Sequence, residues 1–309
     1  MERRPGNANQ FTRDYFDAIM LEMRHFGAVI PDTKMTLFGA EFTTPVMTAA
    51  LSHLNNCHPD GLEELAKGAL GAGALMWSGM GADEELERVC ATGAKVIRII
   101  KPHADNETIF REIALAQSLG CLAVGMDLDH AFNAHGEYDN IFGECPLAGK
   151  TIAELASFVA ATNLPFIIKG VLSVTDALKC LEIGAGGIVV SHHHGIMDYA
   201  IPPLMVLPAI VTAINGKIPI FVDCGVENGF DVYKALALGA TGVSVGRTLM
   251  KPLATDGHVG VTEKINEITK TLKGTMARTA AANLAQIDPT VVWLPTTHQP
   301  FNLAKNAKM

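Results

Sequence analysis

The chain has 309 residues, of which 49% are hydrophobic, so it is long enough to bury the core of one large domain. Its formal net charge is −8 and it has no basic cluster, which argues against a nucleic-acid surface and against a polybasic membrane patch. Its apolar runs stay short of the ~18 residues that a membrane-spanning helix needs, so we predict small-molecule substrates and neither nucleic-acid nor membrane partners.

Residues 1–40 predict a short helix and a turn that close the bottom of a barrel. From residue 44 onward, short β-rich runs alternate with segments of helical period. The predicted strands cover residues 44–50, 74–78, 95–100, 122–129, 165–170, 187–193, 219–225 and 242–247. The predicted helices cover residues 60–70, 83–90, 107–119, 152–160, 175–183, 203–214 and 229–238, with a helical tail at about 261–284.

This alternation predicts an α/β protein of the (β/α)8 TIM-barrel type, with a short N-terminal helical extension and a C-terminal helix. We expect one domain over residues 1–309, with the extension at 1–40 and the barrel at 44–290. A doubly wound open sheet is the alternative. The long polar connection at residues 130–149 is typical of an active-site loop.

The cysteines and the N-terminus indicate a compartment. The 6 cysteines form no Cys-x-x-Cys pair, which argues against a zinc or iron–sulfur site and fits free thiols under reducing conditions. The first ten residues are polar and no apolar segment follows their arginines. We therefore predict a cytoplasmic protein.

Residues 188–198 are the most informative stretch, because an apolar strand ends there in a serine and three consecutive histidines. Neighbouring side chains on an extended segment alternate between faces, so either His192 and His194 or His193 alone can point one way. We therefore predict no metal site. A histidine that acts as a general base is the sharper hypothesis, and histidines that only form hydrogen bonds at a strand end are the alternative.

Other polar residues stand where the strands of a barrel converge on one mouth. Gly225 and the Gly246–Arg247 pair follow the seventh and eighth strands, where barrel enzymes commonly hold a phosphate. The alternative is a chain turn whose arginine pairs with a surface carboxylate. Lys169 closes an apolar strand, which suggests either a Schiff-base nucleophile or a fixed charge beside an electron-accepting ring.

Asp127 and Asp129 share one face of the fourth predicted strand. One of them can orient an imidazole that comes from the sixth strand. Capping of barrel loops is the alternative for both carboxylates.

Several segments together form a specific pattern: Leu164–Val171, Gly187–His193, Ile218–Val226, Asp231–Ala240, Gly246–Arg247 and His58–Gly61. This series resembles the FMN-dependent α-hydroxy acid oxidase and dehydrogenase family, whose members are similar to glycolate oxidase and lactate oxidase. The resemblance covers about residues 20 to 290.

The resemblance implies FMN across the barrel mouth, with its phosphate against Gly225, Gly246 and Arg247. The remaining cofactor contacts that it implies are Asp223 on the ribityl chain and Ala49, Ser78, Asp127 and Ser191 around the ring. Lys169 would face N1 and O2 of the ring, where negative charge accumulates on reduction, and this role displaces the Schiff-base hypothesis.

In the same pattern, His193 falls on the family's catalytic base and Asp129 on the carboxylate that supports it. A hydride equivalent would then pass from the substrate α-carbon to flavin N5 as the base takes a proton. The resemblance also implies a homo-oligomer, a tetramer or an octamer.

The chain departs from the family pattern where a substrate carboxylate would bind. The arginine that follows the family's histidine is missing, and the family's third-strand tyrosine corresponds to Ile100 or Lys101. Glu227 stands where a phosphate-binding arginine is usual. The candidate replacement contacts for the substrate are Lys101, His135, His192 and His194.

We therefore predict an FMN-dependent oxidoreductase that oxidises the CH–OH group of a small 2-hydroxy acid or a related hydroxylated molecule. The alternatives are a flavin-dependent isomerase without net redox change, a flavin-binding protein with a degenerate site, and a flavin-free barrel aldolase or phosphate-sugar enzyme.

Overall fold

The computed structural model describes residues 4–141, 143 and 145–295. Eight parallel strands form the central sheet: β1 (Val46–Thr48), β2 (Met76–Ser78), β3 (Val96–Ile100), β4 (Ala123–Asp127), β5 (Phe166–Val171), β6 (Gly187–Val190), β7 (Ile220–Val222) and β8 (Gly242–Val245). The strands pair in the order β1-β8-β7-β6-β5-β4-β3-β2. A parallel bridge between Leu51 and Ser78 joins the two edges, so the predicted barrel is confirmed and the open sheet is wrong.

Helix α1 (Ala8–Ala18) precedes these strands, and one helix follows each strand on the outside of the barrel. These outer helices are α2 (Gly61–Gly71), α3 (Asp83–Ala91), α4 (Asn106–Ser118), α5 (Ile152–Ala160), α6 (Val174–Glu182), α7 (Pro203–Ile214), α8 (Gly229–Ala237) and α9 (Met250–Arg278). α9 is interrupted at Asp256 and Gly257, whose backbone angles are not helical. In the described residues, no helix combines the length and the apolar character that crossing a bilayer requires.

Within the described residues, three short antiparallel strand pairs lie outside the barrel sheet. They join Met35–Leu37 to Ala40–Phe42, Met20–Leu21 to Val292–Trp293, and Asn140–Ile141 to Cys145–Pro146. The last pair belongs to the predicted active-site loop at residues 130–149, of which residues 142 and 144 lie outside the described part.

Strand alternation separates two cores. Ile97 and Ile99 of β3 face the barrel interior, where the Trp77 and Phe221 rings lie 5.1 Å apart between centroids. Ile100 instead packs among the residues beneath the helices. Because successive strand side chains point to opposite faces, the next residue after β3, Lys101, continues the inward-facing row at the barrel mouth.

The N-terminal extension divides between the two ends of the barrel. The hairpin of Met35–Leu37 and Ala40–Phe42 buries its apolar side chains in the interior core, as predicted for the barrel bottom. Helix α1 lies at the opposite end, since Thr12 contacts His192 and Arg13 donates a hydrogen bond to the carbonyl of Gly225. The prediction that this helix closes the bottom is therefore wrong, because long-range polar contacts attach it to the strand carboxyl ends.

A half-buried carboxylate joins the break in α9 to α2. Glu64 accepts hydrogen bonds from the backbone N–H of His258 at 2.9 Å and from its ring, and Lys67 donates to its other oxygen at 3.0 Å. Burial alone would raise the pKa of Glu64, but the His258 and Lys67 contacts lower it to about 2. The ionised carboxylate therefore stabilises the folded chain.

We expect Glu64→Gln to lower the free energy of unfolding by about 1.5–3 kcal/mol at pH 7, the range for a hydrogen bond to a charged group. Because the folded-state pKa lies below the unfolded one, this stabilisation is complete above the unfolded pKa and is lost as the pH falls toward about 2. Urea unfolding at pH 7 and pH 3 measures it. Glu63→Gln on the same helix is the control, and equal losses in both variants would contradict this role.

Candidate active site

A pocket of 420 Å³ opens at the carboxyl ends of β1, β5, β6, β7 and β8. Its wall includes six of the predicted cofactor residues, namely Ala49, Lys169, Asp223, Gly225, Gly246 and Arg247. His193, His194 and Glu227 also line it. The strand ends thus bring together residues that are far apart along the chain, as the barrel prediction requires.

A buried carboxylate between two ammonium groups lies beneath this pocket. Lys169 Nζ is 2.7 Å from one oxygen of Asp127, and Lys101 Nζ is 2.8 Å from the other. Burial opposes charge on Asp127, yet the two lysines hold its pKa well below the usual range. Burial likewise opposes charge on Lys169, but Asp127 and Asp223 raise its pKa above the ordinary value. Lys169 is therefore a permanent buried cation at neutral pH.

His193 stands at the end of β6 in an unusual turn. His193 and His194 both have left-handed backbone angles, with φ of 46° and 59°, and the hydroxyl oxygen of Ser191 accepts a hydrogen bond from the His193 backbone N–H. Two consecutive left-handed residues break the strand alternation. His193 and His194 therefore both face the pocket, and the prediction that neighbouring histidines point apart is wrong for this pair.

The polar contacts of the His193 ring involve one of its two nitrogens, Nδ1. Its Nδ1 lies 2.8 Å from Asp129 Oδ1, 3.5 Å from Lys169 Nζ and 3.6 Å from Asp127 Oδ1. A neutral imidazole that donates its Nδ1 proton to Asp129 keeps Nε2 as an acceptor. In the described part of the chain, the polar contacts of this ring are all made through Nδ1, so Nε2 remains free to take a proton.

The rim of the pocket carries a positive and a negative side chain. Arg247 is exposed and follows Gly246, while Glu227 lines the same wall with a side chain that is 61% exposed. Arg13 of α1 approaches Glu227 at 3.9 Å and makes two hydrogen bonds to Asp231. Arg13 thus partly offsets the negative charge that Glu227 adds.

Comparison with known proteins assigns the family. A model described as FMN-dependent dehydrogenase matches residues 6–150 and 147–294. The chain belongs to this family. Similar proteins include glycolate oxidase 3 of Arabidopsis thaliana, 30% identical over 92% of this chain and 86% of that protein. L-lactate oxidase of Roseobacter sp. (strain GAI101) is 28% identical over 83% of this chain and 79% of that protein.

Solved structures agree with the FMN-dependent dehydrogenase assignment. Mandelate oxidase is 26% identical, with a TM-score of 0.84 over 94% of this chain and 90% of that one. A mandelate oxidase variant with the monooxide FMN adduct also has a TM-score of 0.84 and 26% identity, over 95% of this chain and 94% of that chain. The protein is therefore an enzyme, an FMN-dependent oxidoreductase.

The pocket of this FMN-dependent dehydrogenase fits its cofactor. Buried Lys169 would supply a cation for a ring that gains negative charge, and Arg247 would supply one at the open rim for a phosphate. Gly225 and Gly246 both line this pocket. Gly225 has φ of 72°, and a Cβ there would lie 2.8 Å from Thr12 Cγ2 of α1, so the turn and the packing of α1 both favour glycine at this position.

Three other predicted cofactor residues are buried behind the wall. Ser78 faces outward from β2, where its hydroxyl is 3.4 Å from the Gly79 carbonyl and from Arg98 Nη1. Asp127 and Ser191 are 2% and 1% exposed, and both hold site residues rather than line the pocket.

The four candidate substrate contacts separate into two groups. His194 lines the pocket, where Asn9 Oδ1 contacts its Nδ1 at 2.6 Å, whereas Lys101 is buried beneath the pocket against Asp127. His192 is 2% exposed, and its two ring nitrogens contact Thr12 Oγ1 and the Gly195 N–H. His135 lies on the exposed part of the loop. The structure therefore does not bring His192 and His135 into the pocket.

Sequence reasoning missed His130. Its ring centroid lies 4.9 Å from that of His193, and its Nδ1 is buried without a hydrogen-bond partner in the described residues. Burial and the nearby Lys101 and His193 lower the pKa of His130, which favours a neutral ring. The prediction extended the fourth strand to residue 129, but the structure has a 3-10 turn at Leu128–His130. This turn brings His130 to the site.

Proposed function

We propose that this FMN-dependent oxidoreductase oxidises the CH–OH group of a small 2-hydroxy acid or a related hydroxylated molecule, with His193 as the base. The observation that carries the proposal is the 2.8 Å contact between His193 Nδ1 and Asp129 Oδ1. This contact orients the ring and leaves Nε2 to accept a substrate proton. Bound FMN supplies the two-electron acceptor.

The charges around His193 support this role. Asp129 favours the imidazolium that forms when the ring takes a proton, as a carboxylate does in a base–orienter pair. Lys169 holds a fixed positive charge where the reaction adds electrons, and Asp127 keeps that ammonium in place at 2.7 Å. Asp127 and Lys169 are both buried, which makes the interaction between them stronger than it would be in solvent.

Lys101 is our candidate for recognition of the substrate carboxylate. Its ammonium group has three N–H donors, and Asp127 takes one of them at 2.8 Å. Glycolate and L-lactate, the compounds in the relatives' names, are 2-hydroxy acids, and the ammonium group of Lys101 beneath the pocket is a cation that their carboxylate could pair with. His194 is a second candidate contact, and burial together with Arg247 lowers its pKa to about 4.

We also propose that residues 130–149 form the active-site loop of one domain spanning residues 1–309. The partner is a small molecule, and the proposed setting is a cytoplasmic homo-oligomer, a tetramer or an octamer.

The experiment compares a 2-hydroxy acid, its amide and the matching alcohol, each added without oxygen to the FMN-loaded protein. We expect the acid to bleach the flavin absorbance, and Lys101→Met to weaken the apparent affinity for the acid about tenfold or more while affecting the amide less. Lys179→Met, an exposed lysine, is the control. Failure of every hydroxylated compound to bleach the wild type would overturn the proposed function, and unchanged affinity in Lys101→Met would remove that residue's role.

A further inference from the structure

Strand β5 contains a bulge at the point where it passes Asp129. The pairing of β5 with β6 shifts register between Lys169 and Val171, and the residue between them, Gly170, has φ of 92°. The bulge therefore allows the Lys169 side chain to point into the barrel, while the strand carries no side chain at the next residue, Gly170. Only glycine adopts this backbone conformation without strain.

The side chain of Asp129 occupies the space that a side chain at position 170 would need. A Cβ built on Gly170 would lie 2.6 Å from both Cβ and Oδ2 of Asp129, and closer still to its Cγ. Real Cβ atoms do not approach other heavy atoms so closely, so one of the two residues would have to move. The Asp129 carboxylate thus occupies the space that is open because position 170 has no side chain.

Few polar contacts fix the position of the Asp129 carboxylate. Its Oδ1 contacts His193 Nδ1 at 2.8 Å, while its Oδ2 is buried without a hydrogen-bond partner in the described residues. A carboxylate with a second strong partner would resist displacement. Here packing against the bulge, rather than a second hydrogen bond, determines where Oδ1 lies.

We propose that Gly170 is a positioning residue for the reaction, acting through Asp129 on the orientation of the His193 ring. This inference rests on the proposed role of His193 as the base. It assigns to the glycine of the Lys169–Gly170 pair a function distinct from that of the lysine, which provides charge.

The variant Gly170→Ala should push Asp129 away from His193 and slow anaerobic flavin bleaching by about 100-fold, the effect typical of a misplacement near 1 Å. Apparent substrate affinity should change little, because Gly170 does not line the flavin pocket.

The matched control is Gly93→Ala. Gly93 has a similar φ of 84°, and a Cβ there would meet no atom within 4 Å, so this variant carries the backbone strain without the contact. A second comparison places Gly170→Ala in an Asp129→Gly background, which removes all three atoms that the new methyl group would meet. There, Gly170→Ala should have no further effect on the rate.

A measurement that needs no catalytic turnover tests the positioning role of Gly170 independently of the proposed function. In the protein without substrate, ¹⁵N NMR of the His193 ring should show the Nδ1 proton hydrogen-bonded in the wild type and in Gly93→Ala, but not in Gly170→Ala. An unchanged His193 signal in Gly170→Ala, or an equal rate loss in both single variants, would overturn the positioning role. If Gly170→Ala does not fold, the double variant with Asp129→Gly must restore folding, and its failure to do so would also overturn the inference.

Discussion

His193→Ala is expected to slow flavin bleaching by a 2-hydroxy acid about 10²–10⁴-fold, the usual contribution of a positioned general base. The substrate proton would lose its acceptor, while Lys169 and Arg247 would still bind the cofactor. Stopped-flow absorbance under anaerobic conditions measures the rate, and the visible spectrum of the purified variant reports bound FMN.

The control for this prediction is His25→Ala, which removes an exposed histidine. It should leave the bleaching rate unchanged. If His193→Ala bleached as fast as the wild type, proton removal would have to be assigned to another group. Loss of FMN together with activity would instead show that His193 serves the cofactor rather than the substrate.

The second large effect is expected at Lys169. Replacing it with methionine removes one of the two ammonium groups that pair with buried Asp127 and leaves that of Lys101. It also removes an ammonium group that lies 3.9 Å from Asp223. Breaking a buried ion pair from one side typically costs about 3–5 kcal/mol, so we expect a loss of that order in the free energy of unfolding. FMN affinity should fall as well, because Lys169 is the cation that we propose lies beside the ring.

The pH range of this effect follows from the two pKa shifts. The pKa of Asp127 is lowered in the folded chain, so its contribution is present above the unfolded pKa and is lost in acid. The pKa of Lys169 is raised, so its contribution is present below the unfolded pKa and is lost only in strong alkali. The stability loss in Lys169→Met should therefore be flat from about pH 5 to pH 9.

Urea unfolding of Lys169→Met and of the double variant Lys169→Met with Asp127→Leu measures the ion-pair contribution. The double variant removes both buried charges and should recover part of the lost stability, although it leaves Lys101 without its partner. Lys179→Met is the surface control, and its side chain is 48% exposed. A loss in Lys169→Met no larger than in this control would contradict the buried-pair account.

The barrel and much of its mouth could be predicted from the sequence because the relevant signals are local. Apolar runs such as Gly187–Val190 reveal buried parallel strands, and the residue types after them indicate chemistry at the converging ends. The residue pattern left open whether Asp127 or Asp129 supports the histidine, and only the family resemblance assigned Asp129, which contacts His193 at 2.8 Å. The family match then supports FMN as the cofactor.

The remaining features depend on backbone geometry and long-range contacts that no local pattern records. The left-handed angles at His193 and His194 turn both rings to one pocket, whereas His192 is withdrawn to contact Thr12. Helix α1 reaches the barrel mouth through polar side chains, so its position could not be read from its own amphipathic pattern. His130 approaches His193 because a 3-10 turn replaces the last strand residues.

The most direct test of the account is the stoichiometry of one anaerobic turnover. FMN-loaded protein is mixed with an excess of a 2-hydroxy acid that bleaches it, and the 2-oxo acid is quantified against the flavin reduced. The account predicts one 2-oxo acid for each FMN in the wild type and almost none in His193→Ala over the same time. Bleaching without a 2-oxo acid, or equal yields from both proteins, would contradict it.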